Sequence, residues 1–311
     1  MKFCILLIGY NRKKSFSETL DKFKFLISNS KVDLVISLDD SYSNHELSDI
    51  AESFLWHLGD KQVLRSKTHK GLKKNIIDSC NYVSEKYSFF LVIEDDIDLS
   101  KYALIFLERI LDSLKDYPKL GGISLYSYEK SEKDLMPFKP VFNGYINYWM
   151  QFPSSWGQLF SSHVWKKFDL SLKKNLINLD IIPNYVKLWP NGNSWKKYYL
   201  AFMIENDYFF AYPFNSYSSN RGEKGVNHNS IKNLYKVTLS DGVDYGKINK
   251  SIHIHGYYDH SFNFNGLEIK KNAKWFFNSY SYKSLFYFKI LLFALMNDFK
   301  IILIKLLKLK D

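Results

Sequence analysis

Three consecutive carboxylates, Glu94, Asp95 and Asp96, directly follow the apolar run Phe89-Phe90-Leu91-Val92-Ile93. Side by side they repel one another, so the triplet needs a compensating cation. A hard divalent ion suits it, because Mg²⁺ or Mn²⁺ takes one or two protein carboxylates and fills its other positions with phosphate oxygens and water. A buried strand ending in acids also puts them where open α/β sheets collect ligands, at the carboxyl ends of strands. The competing reading has the acids merely open a loop ahead of a helix capped by Ser100. A second acidic pair, Asp39-Asp40, closes another apolar run at residues 32–38 and favours the ligand-binding reading.

Around these acids the chain offers partners for a phosphate. Arg12 brings a planar fork and Lys73 a compact charge, while Gly71 at a helix start would let backbone N–H groups approach an anion. Lys70, Lys73 and Lys74 equally fit a solvated helix face. His228 lies in the polar, glycine-rich residues 220–229, where it either closes on a metal or phosphate or stays in solvent. Trp156 and Trp195 sit in polar, Gly- or Asn-containing surroundings and are candidate platforms for sugar rings, with core packing the alternative for each. Aromatic residues reach 18%, which suits such platforms but also follows from the Lys, Asn, Ile, Tyr and Phe excess of AT-rich coding.

The formal charge of +11 calls for an anionic partner. The lysines are spread along the chain rather than gathered into a basic arm, which argues against nucleic acid and leaves phosphorylated small molecules or an anionic membrane. Cys4 and Cys80, the two cysteines, both fall in apolar stretches and suggest neither a disulfide framework nor a zinc site. Residues 1–8 are too short and lack the small-residue cleavage site of a signal peptide, so a cytosolic domain is expected.

The elements that position these groups alternate. Strands are expected at residues 3–8, 32–38, 62–65, 89–93 and 120–126, with helices at 15–27, 44–58, 71–86 and 100–115. That alternation predicts an α/β fold with a parallel sheet and crossover helices. Beyond about residue 135 the pattern turns irregular and rich in Trp, Tyr, Asn, Gly and Pro, as loops over a cleft would be. Residues 284–308 are strongly apolar but broken by Asn297, Asp298 and Lys300, which makes spanning a bilayer costly. An interfacial helix on an anionic membrane or a helix packed on the domain are the readings that remain.

Glu94-Asp95-Asp96 after a hydrophobic strand resembles the DxD-type motif of GT-A glycosyltransferases. It is especially similar to the E-D-D form of the N-acetylglucosaminyltransferase I group and of related bacterial capsule and O-antigen transferases. The likeness runs to about residue 260 through Ile5 to Arg12, Ser37-Leu38-Asp39-Asp40, His69-Lys70-Gly71-Leu72-Lys73 and Ser155-Trp156-Gly157-Gln158. It continues through Ser194-Trp195, Tyr212-Pro213 and Ser219-Asn220-Arg221-Gly222 to His228.

The resemblance implies a GT-A-type Rossmann-like mixed sheet flanked by helices, with a loop-rich acceptor half, to which the sequence pattern adds a C-terminal amphipathic helix. It implies a nucleotide-sugar-binding half at residues 1–135 and an acceptor and catalytic half at 136–280, while the apolar, lysine-bearing run itself predicts a basic apolar helix at 281–311. By the same likeness Asp96 and His228 would hold Mn²⁺ or Mg²⁺, and Gly9, Asn11, Arg12, Asp39, Gly71, Lys73, Glu94 and Asp95 would line the donor site. The family's catalytic Asp follows a Trp that aligns with Trp195, but this chain has Lys196-Lys197 there. Glu205 and Asp207 are the expected substitutes, and inversion is the expected stereochemistry. The activity implied is hexosyl or N-acetylhexosaminyl transfer from a UDP-sugar to a glycan or lipid-linked glycan at the inner face of the cytoplasmic membrane. A non-catalytic carbohydrate-binding protein and a sugar nucleotidyltransferase are the rivals, although the glycine-rich run of the latter is missing after Arg12.

Overall fold

The computed structural model describes residues 3–39, 45–189, 194–222 and 234–266. Met1–Phe264 form one compact unit, and the second, Asn265–Asp311, lies almost wholly outside the described residues. The first half runs β1 (Phe3–Gly9), α1 (Lys13–Phe23), β2 (Val32–Leu38), α2 (His45–Ser53), β3 (Lys61–Arg65), α3 (Leu72–Ser84) and β4 (Phe89–Glu94). Then come β5 (Ile97–Leu99), α4 (Ala103–Leu114), β6 (Leu120–Ser124), β7 (Asn147–Met150), β8 (Gln158–Ser161), α5 (Ser162–Lys173) and α6 (Asn184–Lys187). The rest is α7 (Lys196–Glu205), β9 (Phe209–Pro213), β10 (Ser218–Asn220), α8 (Ile252–His255), β11 (Tyr257–Tyr258) and β12 (Phe264–Asn265).

Among the described residues, ten strands form one mixed sheet in the order β12-β11-β7-β9-β6-β8-β4-β1-β2-β3. β1 is parallel to β2 and β4, and β2 is parallel to β3. β8 is antiparallel to both β4 and β6, so β6 points the same way as β4, and β9 follows β6 in parallel. The carboxyl ends of β1, β2, β4, β6 and β9 therefore share one edge. The expected α/β sheet flanked by helices is present, and the irregular second half supplies strands to that same sheet rather than loops alone.

Strand alternation divides the core. Leu91 and Ile93 join Phe16 and Leu20 of α1 and Leu104 and Leu107 of α4. Phe90 and Val92 face Ile76 of α3, Trp165 of α5 and Tyr199 of α7. With both faces covered, β1 and β2 are buried along their whole length, which is why they read as unbroken apolar runs.

The helix expected at 44–58 stops at Ser53. Lys61 ends it by donating its ammonium to the carbonyls of Ala51, Glu52 and Phe54, at 2.7, 2.6 and 2.7 Å. Cations at helix carboxyl ends satisfy such orphan carbonyls. Among the described residues no helix is long and apolar enough to cross a membrane, and residues 284–308 lie outside them.

Candidate functional site

β4 ends at Glu94, and Asp95-Asp96 make the turn into β5. Arg12, just past the carboxyl end of neighbouring β1, lies across that turn. Its Nη1 donates to Asp96 Oδ2 at 2.7 Å, and its Nη2 pairs with the Asp95 carboxylate. β5 pairs antiparallel with β10, Asn220 opposite Ile97, and so delivers Arg221 to the same turn. The Arg221 backbone N–H donates to Asp96 O at 2.9 Å, and its guanidinium donates to Asp95 O at 2.6 Å and to Thr19 Oγ1 at 2.9 Å. It also pairs with Asp98, while Ser15 and Thr19 each donate a hydroxyl to Asp95 O at 2.8 Å. The turn's backbone is thus fixed by α1 and by one arginine, and its carboxylates by the other.

Burial disfavours charge on Glu94, and with the nearby Asp96 it pushes that carboxyl up to about 8, against the pull of Arg12. Burial likewise raises Asp95 to about 6, with Arg12 opposing and Asp96 adding. Burial works against the Arg12 charge, but Asp96 and Asp95 outweigh it and raise that group's pKa.

Among the described residues no three His, Cys, Asp or Glu groups converge as a metal cage. Asp96 is the fitting donor, because its side chain keeps 14% exposure whereas Asp95 keeps 4%. One carboxylate oxygen of Asp96 is engaged by Arg12. That fits an ion held by one or two protein carboxylates, with phosphate and water completing its shell. His228, the other expected ligand, lies outside the described residues.

The remaining expected donor-site residues divide. Gly9 is buried against Phe16 and Leu38 and accepts the Asp39 N–H at 3.0 Å, while Asn11 is exposed at the same edge. Asp39 accepts from the backbone N–H groups of Lys70 and Gly71 at 2.7 and 2.8 Å and from His69 Nδ1 at 3.0 Å. Its carboxylate therefore pins the loop into α3 and sets Gly71 at its φ of 79°. Lys73 stacks on the Tyr198 ring at 3.8 Å and lines a groove of about 360 Å³ between α3 and α5.

Glu205 and Asp207 are not brought to the acidic turn. Glu205 ends α7 and accepts from Asn178 N–H at 3.0 Å, and Asp207 pairs with Lys119. Both precede the amino end of β9, whose first residue is in register with the first residue of β6, so they lie at the sheet edge away from Glu94. Trp195 is also no sugar platform, being 3% exposed and packed against Phe160, Trp165 and Tyr199. Trp156 is half-buried and keeps ring contacts with Tyr126, Tyr128 and Tyr235.

A second charged cluster stands beside the first. Lys196, at the start of α7, donates to Glu132 Oε1 at 2.7 Å, and Tyr128 donates its hydroxyl to the same oxygen at 2.6 Å. The ammonium lies 4.7 Å from the Trp189 ring centre, 4.8 Å from Phe152 and 5.5 Å from Trp156, within cation–π range. Burial lowers the Lys196 pKa, while the charges of Glu132 and, more distantly, Glu94 raise it.

No known protein-family profile matches the chain, and no curated protein does. Among solved structures it is similar to S. aureus TarS 1-349 in complex with UDP-GlcNAc, at 14% identity and a TM-score of 0.47, over 75% of this chain and 62% of that one. The same fragment in complex with UDP gives 14% identity and a TM-score of 0.43, over 70% and 60%. The mannosyltransferase PcManGT from Pyrobaculum calidifontis, in complex with GDP-Man and Mn²⁺, gives 11% and 0.39, over 53% and 46%. The chain thus covers less than two thirds of the length of these chains.

Three residues of the site are not evident from spacing alone. Arg221 stands in a short motif that gives it no role, yet it is what joins β10 to the acidic turn. Lys196 reads only as a replacement for an acid. Glu132 sits in an irregular loop whose spacing carries no signal, and only the fold brings it to Lys196.

Proposed function

We propose that this chain is a GT-A-type glycosyltransferase that moves a sugar from a nucleotide diphosphate, in the first instance a UDP-sugar, to a bacterial surface glycan. The observation that carries the reading is the Glu94-Asp95-Asp96 turn at the carboxyl end of β4, clasped by Arg12 from the end of β1. Ligands of open α/β sheets gather at that edge. Asp96 would hold Mn²⁺ or Mg²⁺, and the ion when bound would neutralise charge on the departing diphosphate.

The chain's own groups divide the remaining work. Arg221 keeps the turn in one conformation through Asp95 O, Asp96 O and Asp98. Arg12 balances Asp95 and Asp96 when no other cation is there, and its fork suits a phosphate when one arrives. Trp156 presents a half-buried ring to a sugar face. His228 would join Asp96 in holding the ion, and residues 284–308 would hold the enzyme to the anionic inner face of the cytoplasmic membrane, next to a lipid-linked acceptor. The sugar transferred is a hexose or an N-acetylhexosamine in this reading.

A thermal-shift screen tests it. UDP, GDP, CMP and dTDP compounds are each added with and without Mn²⁺ to the wild type and to Asp96→Ala. A nucleotide that binds the folded state raises the melting temperature by mass action. The expected result is a shift that needs both the metal and Asp96. A well-folded sample unmoved by every nucleotide would refute the reading.

A further inference from the structure

Resting on the transferase reading, we propose that Glu132 is the catalytic base that takes the proton from the acceptor hydroxyl. The carboxylate is held in place by Lys196 and Tyr128. Chemistry of this kind needs a carboxylate near the donor's reacting carbon, with one oxygen free and its orientation fixed. Glu205 and Asp207 fail that requirement, lying at the amino end of β9.

Glu132 meets it from a different loop. Its side chain is 10% exposed, and its Oε1 accepts from both Lys196 Nζ at 2.7 Å and the Tyr128 hydroxyl at 2.6 Å. Among the described residues Oε2 accepts no hydrogen bond, so one oxygen is anchored and the other is open.

The placement follows from the sheet. Glu94 lies two residues beyond Val92, on the side of the sheet that packs against α7, and α7 begins with Lys196. The Lys196 ammonium bonds Glu132 and lies 5.5 Å from the Trp156 ring, and the next residue, Gly157, packs against Ile93 directly before Glu94. Trp156-Gly157 therefore links the Glu132 pair to the end of β4. Trp156 and Trp189, whose rings flank the ammonium, are partly exposed and offer flat apolar faces to a sugar. Lys196 and Tyr128 bond Glu132, and the rings of Tyr126 and Tyr212 pack on Tyr128.

The step balances as a single displacement. The acceptor oxygen forms a bond to the anomeric carbon, and that carbon's bond to the β-phosphate oxygen breaks. The bonding pair leaves on the nucleoside diphosphate, and the hydroxyl proton passes to Glu132 Oε2 and then to solvent. Lys196 and Tyr128 are positioning residues that fix the carboxylate.

Azide separates a base from a structural residue, because the anion attacks without losing a proton. Nucleoside diphosphate release from UDP- and GDP-sugars is measured with water alone and with sodium azide, in the wild type, Glu132→Gln and Glu132→Asp. General-base catalysis contributes about 10²–10⁴-fold, so water-driven release should fall by about that factor in Glu132→Gln. Azide should restore release to within about tenfold of the wild type with azide, and the low-pH limb of the wild-type pH–rate profile should vanish. Glu132→Asp keeps the carboxylate on a shorter arm and should lose less than Glu132→Gln, so the test survives if Glu132→Gln does not fold.

Water-driven release at the wild-type rate in Glu132→Gln would overturn the proposal. Loss that azide does not restore, in a protein that still melts and binds nucleotide as the wild type does, would make Glu132 structural and overturn it too. A wild type that binds nucleotide but releases none from any donor, with water or azide, would overturn the transferase reading and the proposal with it.

Discussion

The acidic turn after β4 and the Lys196–Glu132 pair both keep charge below the surface, by opposite means. At the turn, the Asp95 and Asp96 carboxylates share Arg12, while Arg221 bonds the backbone: Asp95 O alone accepts from Ser15, Thr19 and Arg221. The pair is one lysine and one glutamate enclosed by rings, with Tyr128 as its further hydrogen-bonding partner. The first sets two carboxylates, Asp95 and Asp96, against the one guanidinium of Arg12, so Asp96 can take a further cation. The second is neutral as a unit, so its value lies in holding one carboxylate oxygen still.

Breaking the pair should give the largest effect on stability. Lys196→Met leaves Glu132 buried without its counter-ion, and loss of one member of a buried pair costs about 3–5 kcal/mol. Chemical denaturation should show that loss, and Lys196→Met with Glu132→Met should recover most of it. If the single variant is as stable as the wild type, the pair is not the buried unit described.

Loosening the turn comes next. Arg221→Ala removes charge-assisted hydrogen bonds worth about 1.5–3 kcal/mol apiece at most, with solvent replacing part of them, so a loss of about 2–3 kcal/mol is expected by urea denaturation. The same variant should weaken nucleotide binding, whereas Lys196→Met should leave it largely intact. Equal nucleotide affinity in Arg221→Ala and the wild type would dissolve the contrast between the regions.

Acidity distinguishes them further. Glu94 is raised to about 8 and Asp95 to about 6, so the folded protein holds protons that the unfolded chain would release. That contribution is fully present below the ordinary carboxylate range and is lost as pH rises through the folded values. In EDTA the melting temperature should therefore rise as pH falls from about 8 to about 5, and Glu94→Gln should flatten the upper part of that slope. An unchanged slope in Glu94→Gln would show that Glu94 carries no excess proton.

The smallest effect is expected at the far edge of the sheet. Asp207→Asn and Glu205→Gln should leave nucleotide release within about twofold, since substitutions away from the reacting groups change little. A large loss in either would restore them as candidates for the base.

The same contrast explains what the sequence can reveal. Glu94-Asp95-Asp96 is legible because a fully buried strand is an unbroken apolar run, and acids at its end are thereby placed at the edge of a sheet. Arg12 is legible because it follows β1, the next strand over. Local spacing does not show the antiparallel β8 between β4 and β6, which depends on the distant pairing of Phe90 with Phe160. Lys196 and Glu132 lie 64 residues apart in the chain, and neither has a periodic neighbour that marks it as buried. Trp195 misleads because its polar neighbours suggest exposure, whereas Phe160, Trp165 and Tyr199 enclose it.

Whether Asp96 holds a metal that binds the nucleotide is decided by calorimetric titration of UDP and GDP into the wild type and Asp96→Asn, each with and without Mn²⁺. The wild type should bind one of these nucleotides with an affinity that Mn²⁺ raises at least about tenfold, or 1.4 kcal/mol. Asp96→Asn, equally folded, should lose that gain. Equal binding in both proteins, or a folded wild type that binds neither nucleotide, would contradict that role for Asp96.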